Sequence, residues 1–197
     1  MKIRQILSIT TLSLFSISAF AGDTAGKFSV RGAGLIDCET FITEKAQESA
    51  AYMMMGGWID GYFTGLNQMS ENTYDLTPFQ STELIAKIVE NHCAQHKSAR
   101  LFSVLSSIAG QLTEHRIEVG SEMVRINVAD NSTVLYRETI ARMQSRLAAM
   151  GFFTEAATGD FDEQTLLGMQ TFQRSIAFEP TGFPDQATLW KLFAQTD

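Results

Sequence analysis

Cysteine is scarce in this chain. Among 197 residues there are two, Cys38 and Cys93, and both fall in the first half. Proline is as scarce: three in all, with Pro78 the one that interrupts the stretch from Asp37 to Leu112. Histidine is limited to His92, His96 and His115, and no His-Glu-x-x-His pattern accompanies the i, i+4 pair formed by the first two, so no metal site is expected. Basic side chains are outnumbered, 15 against 22 acidic. That balance argues against nucleic acid or an anionic membrane surface as the main partner. Long apolar runs are absent too. The longest, Ile6 to Ile17, is too short for a spanning helix, so no membrane span is expected.

That short run has another meaning. Lys2 and Arg4 precede it and Ala19-Phe20-Ala21 follows, the order of charged start, apolar core and small-x-small cleavage site of a secretory signal. Residues 1–21 are therefore expected to be removed near Ala21, leaving a periplasmic or secreted protein of the cell envelope. Taking away Lys2 and Arg4 leaves 13 basic against the 22 acidic side chains, a net charge of −9. In an oxidising compartment an isolated cysteine pair reads as a disulfide rather than a redox or metal site. Closing a loop of that length is worth about 4 kcal/mol in the chain-entropy picture.

Asp37 to Leu112 reads as helical, rich in Ala, Met, Leu, Glu, Gln and Lys. Leu84, Ile85, Ile88, Val89 and Cys93 recur at helical spacing and turn Cys93 toward a core, where it would staple to a preceding helix opened by Cys38. Ser70 to Gln80 has the Asn, Asp and Pro of a loop, Ser81 and Thr82 offer cap oxygens to the next helix, and Ala99 to Leu112 supplies a further one. Between His115 and Thr133 the character changes. Val124, Ile126 and Val128 alternate with polar residues as in a short strand. From about Leu135, Ile140, Met143, Leu147 and Met150 form a new helical stripe ended by Gly151.

The C-terminal region repeats itself. Thr158-Gly159, Asp162 and Thr165-Leu166 recur as Thr181-Gly182, Asp185 and Thr188-Leu189, each pair 23 positions apart. Each copy reads as a glycine turn followed by an Asp-capped helix with Thr at its third position. The order Ile140-x-x-Met143-Gln144-x-x-Leu147-x-x-x-Gly151, Gly159-Asp160-Phe161, Thr165, Phe172-Gln173, Thr181-Gly182-x-x-Asp185-x-x-Thr188-Leu189-x-x-Leu192 resembles the peptidoglycan-binding-like domain, a three-helix module appended to many cell-wall hydrolases. Two departures are Asp162, where the family usually has Gly after the aromatic, and the lead-in Phe178 to Gly182. The resemblance implies non-covalent binding of peptidoglycan, not catalysis. It implies that Gly159, Gly182, Asp162, Asp185, Gln144 and Gln173 determine the fold, and that ligand contact falls on Asp160, Phe161, Arg174 and Phe183 around the two turns.

In the first half, Gly57, Gly61 and Gly65 lie at i, i+4 and i+8, a stripe along which another helix can approach closely, either within the domain or from a partner. Each costs its helix up to about 1 kcal/mol against Ala, so some packing should offset it. The Cys38-Glu39-x-Phe41 start and the sequence around Cys93 resemble the HdeA-type periplasmic helical fold of acid-stress chaperones. The Trp58-x-x-Gly61-Tyr62-x-x-Gly65-x-Asn67 run is similar to small disulfide-stapled immunity proteins of envelope toxin systems. A glycine-rich helix and an added wall-binding module depart from the chaperone pattern.

No catalytic constellation stands out. The cysteines are spoken for, the Ser-x-Gly-Cys segment of wall-linking transpeptidases is missing, and Glu83, Glu90, Asp60 and Glu71 read as solvated helix face rather than an acid/base pair. The expectation is a mostly α protein without cofactor. A signal peptide, 1–21, precedes a disulfide-stapled helical domain, 22–114; a short strand-like linker, 115–134, leads to a peptidoglycan-binding-like domain, 135–197. It would act as a non-catalytic binding protein for peptidoglycan that presents its first domain to an envelope protein. The alternative is a periplasmic chaperone, or an inhibitor or immunity-type protein acting on a wall-active enzyme.

Overall fold

The computed structural model describes residues 22–194, so the expected signal peptide lies outside the described residues. Of the described residues, 22–30 belong to a unit of their own, in which the Asp23 carboxylate accepts from the Ala25 and Lys27 N–H groups. From Arg31 onward the chain is a second unit built around two hydrophobic clusters.

The first cluster lies among four helices: α1 (Cys38–Ala46), α2 (Ala50–Met69), α3 (Thr82–Cys93) and α4 (Leu101–Leu112). Three start on a side-chain cap: Asp37 accepts from Thr40 N–H, Ser49 from Tyr52 N–H and Ser81 from Leu84 N–H. Phe41, Met55, Ile59, Ile85, Val89, Leu101 and Leu105 are almost wholly buried between them. The Cys38–Cys93 disulfide forms as expected, but it reaches past one helix. The sequence before the loop is two helices rather than one, because Glu48 takes a left-handed φ of 47° and Ser49 then caps a new start. The bond therefore ties the first residue of α1 to the last of α3, with α2 between them in sequence. At the other ends of the same two helices, Glu83 on α3 takes the Lys45 ammonium at 2.5 Å and the Tyr52 hydroxyl at 2.5 Å. The Lys45 cation holds the Glu83 carboxyl below its ordinary value.

The expected strand is half of a hairpin. β1 (Met123–Val128) pairs antiparallel with β2 (Asn131–Tyr136), Val128 opposite Asn131, through the two-residue turn Ala129-Asp130. Ile126, Val128 and Leu135 point into the second cluster. Three helices complete it: α5 (Arg137–Ala149), α6 (Glu163–Ser175) and α7 (Gln186–Ala194). Their buried stripes, Ile140, Met143 and Leu147, then Met169 and Phe172, then Leu189 and Leu192, follow helical periodicity. Two residues from the first half belong to this second cluster as well: Phe79, from the loop before α3, and Leu84.

Candidate functional site

The two repeated turns are built alike, and each rests on the helix before it. Gln144 on α5 is fully buried, and its carboxamide spans the first turn. The oxygen accepts from Gly159 N–H at 2.9 Å; the nitrogen donates to Asp160 C=O at 2.8 Å and to Thr165 Oγ1 at 2.8 Å. Gln173 on α6 does the same for the second turn, accepting from Gly182 N–H at 2.7 Å and donating to Phe183 C=O at 3.0 Å. Gly159 and Gly182 sit at φ +80° and +76°. A Cβ at Gly159 would stand 2.6 Å from Arg137 C=O, so both conformation and space demand glycine there. After each turn an Asp caps the helix: Asp162 accepts from Thr165 N–H at 2.8 Å and Asp185 from Thr188 N–H at 2.8 Å. The Thr165 hydroxyl and N–H hold the Asp162 carboxyl below its ordinary value.

The four residues expected to touch ligand occupy different settings. Asp160 is exposed but ion-paired with Arg137, which also bonds Glu122 at 3.1 Å. Phe161 and Phe183 are half-buried against the second cluster, and Arg174 is exposed near the end of α6. The first turn, with Asp160 and Phe161, is held by α5 and the second, with Phe183, by α6, while Arg174 is on α6 itself.

Residues 136–192 match a protein-family model. The family is described as "Putative peptidoglycan binding domain". The match spans α5, both glycine turns, α6 and most of α7, the elements whose framing by Gln144 and Gln173 has just been described. No curated protein and no solved structure matches the chain. The C-terminal module is thus peptidoglycan-binding-like, a binding module rather than a catalytic one, and it points toward the cell wall. No helix among the described residues is long and apolar enough to cross a membrane.

The binding module is fastened to the four-helix part at several points. The Gln186 carboxamide, at the start of α7, donates to Phe79 C=O at 2.7 Å and accepts from Ser81 N–H at 2.9 Å. Phe79 stacks on Phe193, ring centroids 4.9 Å apart. Arg142 donates to the carbonyls of His115 and Arg116, and Tyr136 meets Tyr74 edge-on at 5.8 Å. Burial, together with the Asp75 carboxylate beside it, pushes the Tyr136 phenol up to about 12. Nothing in the sequence singles out Gln186 or Phe79 for this role, because their partners lie more than a hundred positions away.

The glycine stripe faces outward. A Cβ added at Gly57, Gly61 or Gly65 would meet nothing within 4 Å, so no helix of this chain packs on it among the described residues. Met53 and Met54, one turn earlier on α2, are 70% and 76% exposed. His92 and His96 are exposed with rings 4.6 Å apart, and no group of three or more His, Cys, Asp or Glu among the described residues is placed to hold a metal ion. Of the acidic residues weighed as an acid/base pair, Glu83 is held by Lys45 and Tyr52, Glu90 pairs with Lys87, and Asp60 accepts from the Thr82 hydroxyl at 2.6 Å.

Proposed function

We propose that this is an exported, non-catalytic protein of the cell envelope. Its C-terminal domain, 135–197, binds peptidoglycan, and its N-terminal domain, 22–114, is presented there to a protein partner. The observation that carries the reading is the family match over residues 136–192, on a module whose two turns are each fixed by a buried glutamine. Asp160, Phe161, Arg174 and Phe183 remain the candidates around those turns. The sequence pattern of residues 1–21 supports export, and the Cys38–Cys93 bond fits an oxidising compartment.

Presentation of the first domain rests on its bare α2 face, where Gly57, Gly61 and Gly65 lie beside exposed Met53 and Met54. The same face serves the second reading, an inhibitor or immunity-type protein for a wall-active enzyme or an acid-stress chaperone. The test is co-sedimentation of the chain from Gly22 with insoluble peptidoglycan sacculi. Pelleting with sacculi, and not alone, supports the reading; an unchanged supernatant overturns it. Release of soluble fragments from the sacculi would overturn the non-catalytic part.

A further inference from the structure

The seam between the two clusters holds a cavity of about 170 Å³. Its apolar walls come from Phe79, Trp190 and Phe193, and its polar groups are Gln80, Gln111 and His115. It is composite: α7 supplies one side, and the loop before α3 with the end of α4 supplies the other. The Gln186 clamp on Phe79 and Ser81 fixes these two sides before any ligand arrives. Three properties narrow the occupant. No lining residue is Asp or Glu, in a chain whose excess charge is negative, so this spot does not repel a carboxylate-bearing polymer as the rest of the surface does. Trp190 is half-exposed and available as a flat platform, against which the C–H face of a pyranose ring can lie. Gln80 is only 9% exposed, its carboxamide oxygen accepts from Phe79 N–H, and no hydrogen bond among the described residues uses its amide nitrogen.

We propose that this seam cavity seats one N-acetylated sugar of a glycan strand. The acetamido methyl packs against the stacked Phe79 and Phe193 pair, the ring lies on Trp190, and the Gln80 amide nitrogen donates to the acetamido carbonyl. Gln111 and His115 stand at the rim for hydroxyl groups. The volume, about 170 Å³, holds one acetamido group and part of one ring but not a folded peptide. This rests on the peptidoglycan reading and makes the binding site a joint product of both halves of the chain, not of the two glycine turns alone.

The test uses the chain from Gly22 carrying Trp58→Phe, so that Trp190 is the one tryptophan left to report. It is titrated with peptide-free N-acetylglucosamine–N-acetylmuramic acid disaccharide and, separately, with free stem peptide. Saturable change of Trp190 emission by the disaccharide is expected, weakened at least fivefold by Gln111→Ala, an exposed position with no part in the core. The same substitution and Trp190→Ala should reduce pelleting with sacculi. If the unsubstituted chain pellets while the disaccharide leaves Trp190 unchanged, or only the stem peptide changes it, the seam inference is overturned and peptidoglycan binding stands. If the unsubstituted chain does not pellet, the reading beneath it fails.

Discussion

Replacing Gln144 with Ala should cost the chain about 3 kcal/mol, and replacing Gln173 should cost nearly the same. Gln144 is fully buried and Gln173 is 1% exposed. Loss of the first carboxamide orphans the buried Gly159 N–H, for which an uncompensated penalty of about 1–3 kcal/mol applies. It also frees Asp160 C=O, which is part-buried and can recover water, adding up to about 1 kcal/mol. The space left by the side chain adds about 1 kcal/mol more. Gln173 stands in the same relation to Gly182 N–H and Phe183 C=O, which is why the two costs should agree. Urea unfolding followed by circular dichroism gives the difference from the shift in midpoint at constant slope. Met in place of Gln144 separates bonding from volume, since it fills the space without a carboxamide, and it should recover less than half of the loss. Full recovery by Met, or a cost below about 1 kcal/mol for either Ala variant, would refute the idea that these amides frame the turns.

Gly61→Ala should stabilise the chain by up to about 1 kcal/mol, because helix propensity rises and the added methyl meets nothing within 4 Å. A loss of stability in urea would mean that the face is covered. Reducing the Cys38–Cys93 bond should remove about 4 kcal/mol, given the 55 positions it spans, and melting with and without reductant checks this. Tyr136 has its phenol pushed up to about 12, so folding gains from it fully below an ordinary value near 10 and loses that gain as pH rises from 10 to 12. Tyr136→Phe should therefore gain on the unsubstituted chain in melting temperature over that window, and a difference independent of pH contradicts the assignment.

The C-terminal module was legible because its signals are local. A glycine turn, an Asp cap and a Thr at the third helical position fall within seven residues, and the repeat states them twice. The buried stripes of α5 to α7 follow from spacing alone. The break between α1 and α2 was hidden, since it depends on Glu48 adopting a left-handed conformation that carries no residue signature. The hairpin was half-seen. Two-residue hairpin turns favour Asn-Gly or Asp-Gly, and Ala129-Asp130 with Ala129 at φ 49° gives no such sign. The glycine stripe suggested close packing, yet glycines spaced along a helix look the same whether covered or bare. The seam escaped for a different reason. Gln186 reaching Phe79 and Ser81 is a contact of more than a hundred positions, which periodicity and capping rules do not register.

Peptidoglycan binding itself is tested most directly by incubating the chain from Gly22 with purified sacculi and measuring the fraction that pellets, next to Gln144→Ala. The unsubstituted chain should pellet saturably, and the fraction should fall once the first turn loses its amide. A chain that stays in the supernatant at every amount of sacculi would contradict peptidoglycan binding.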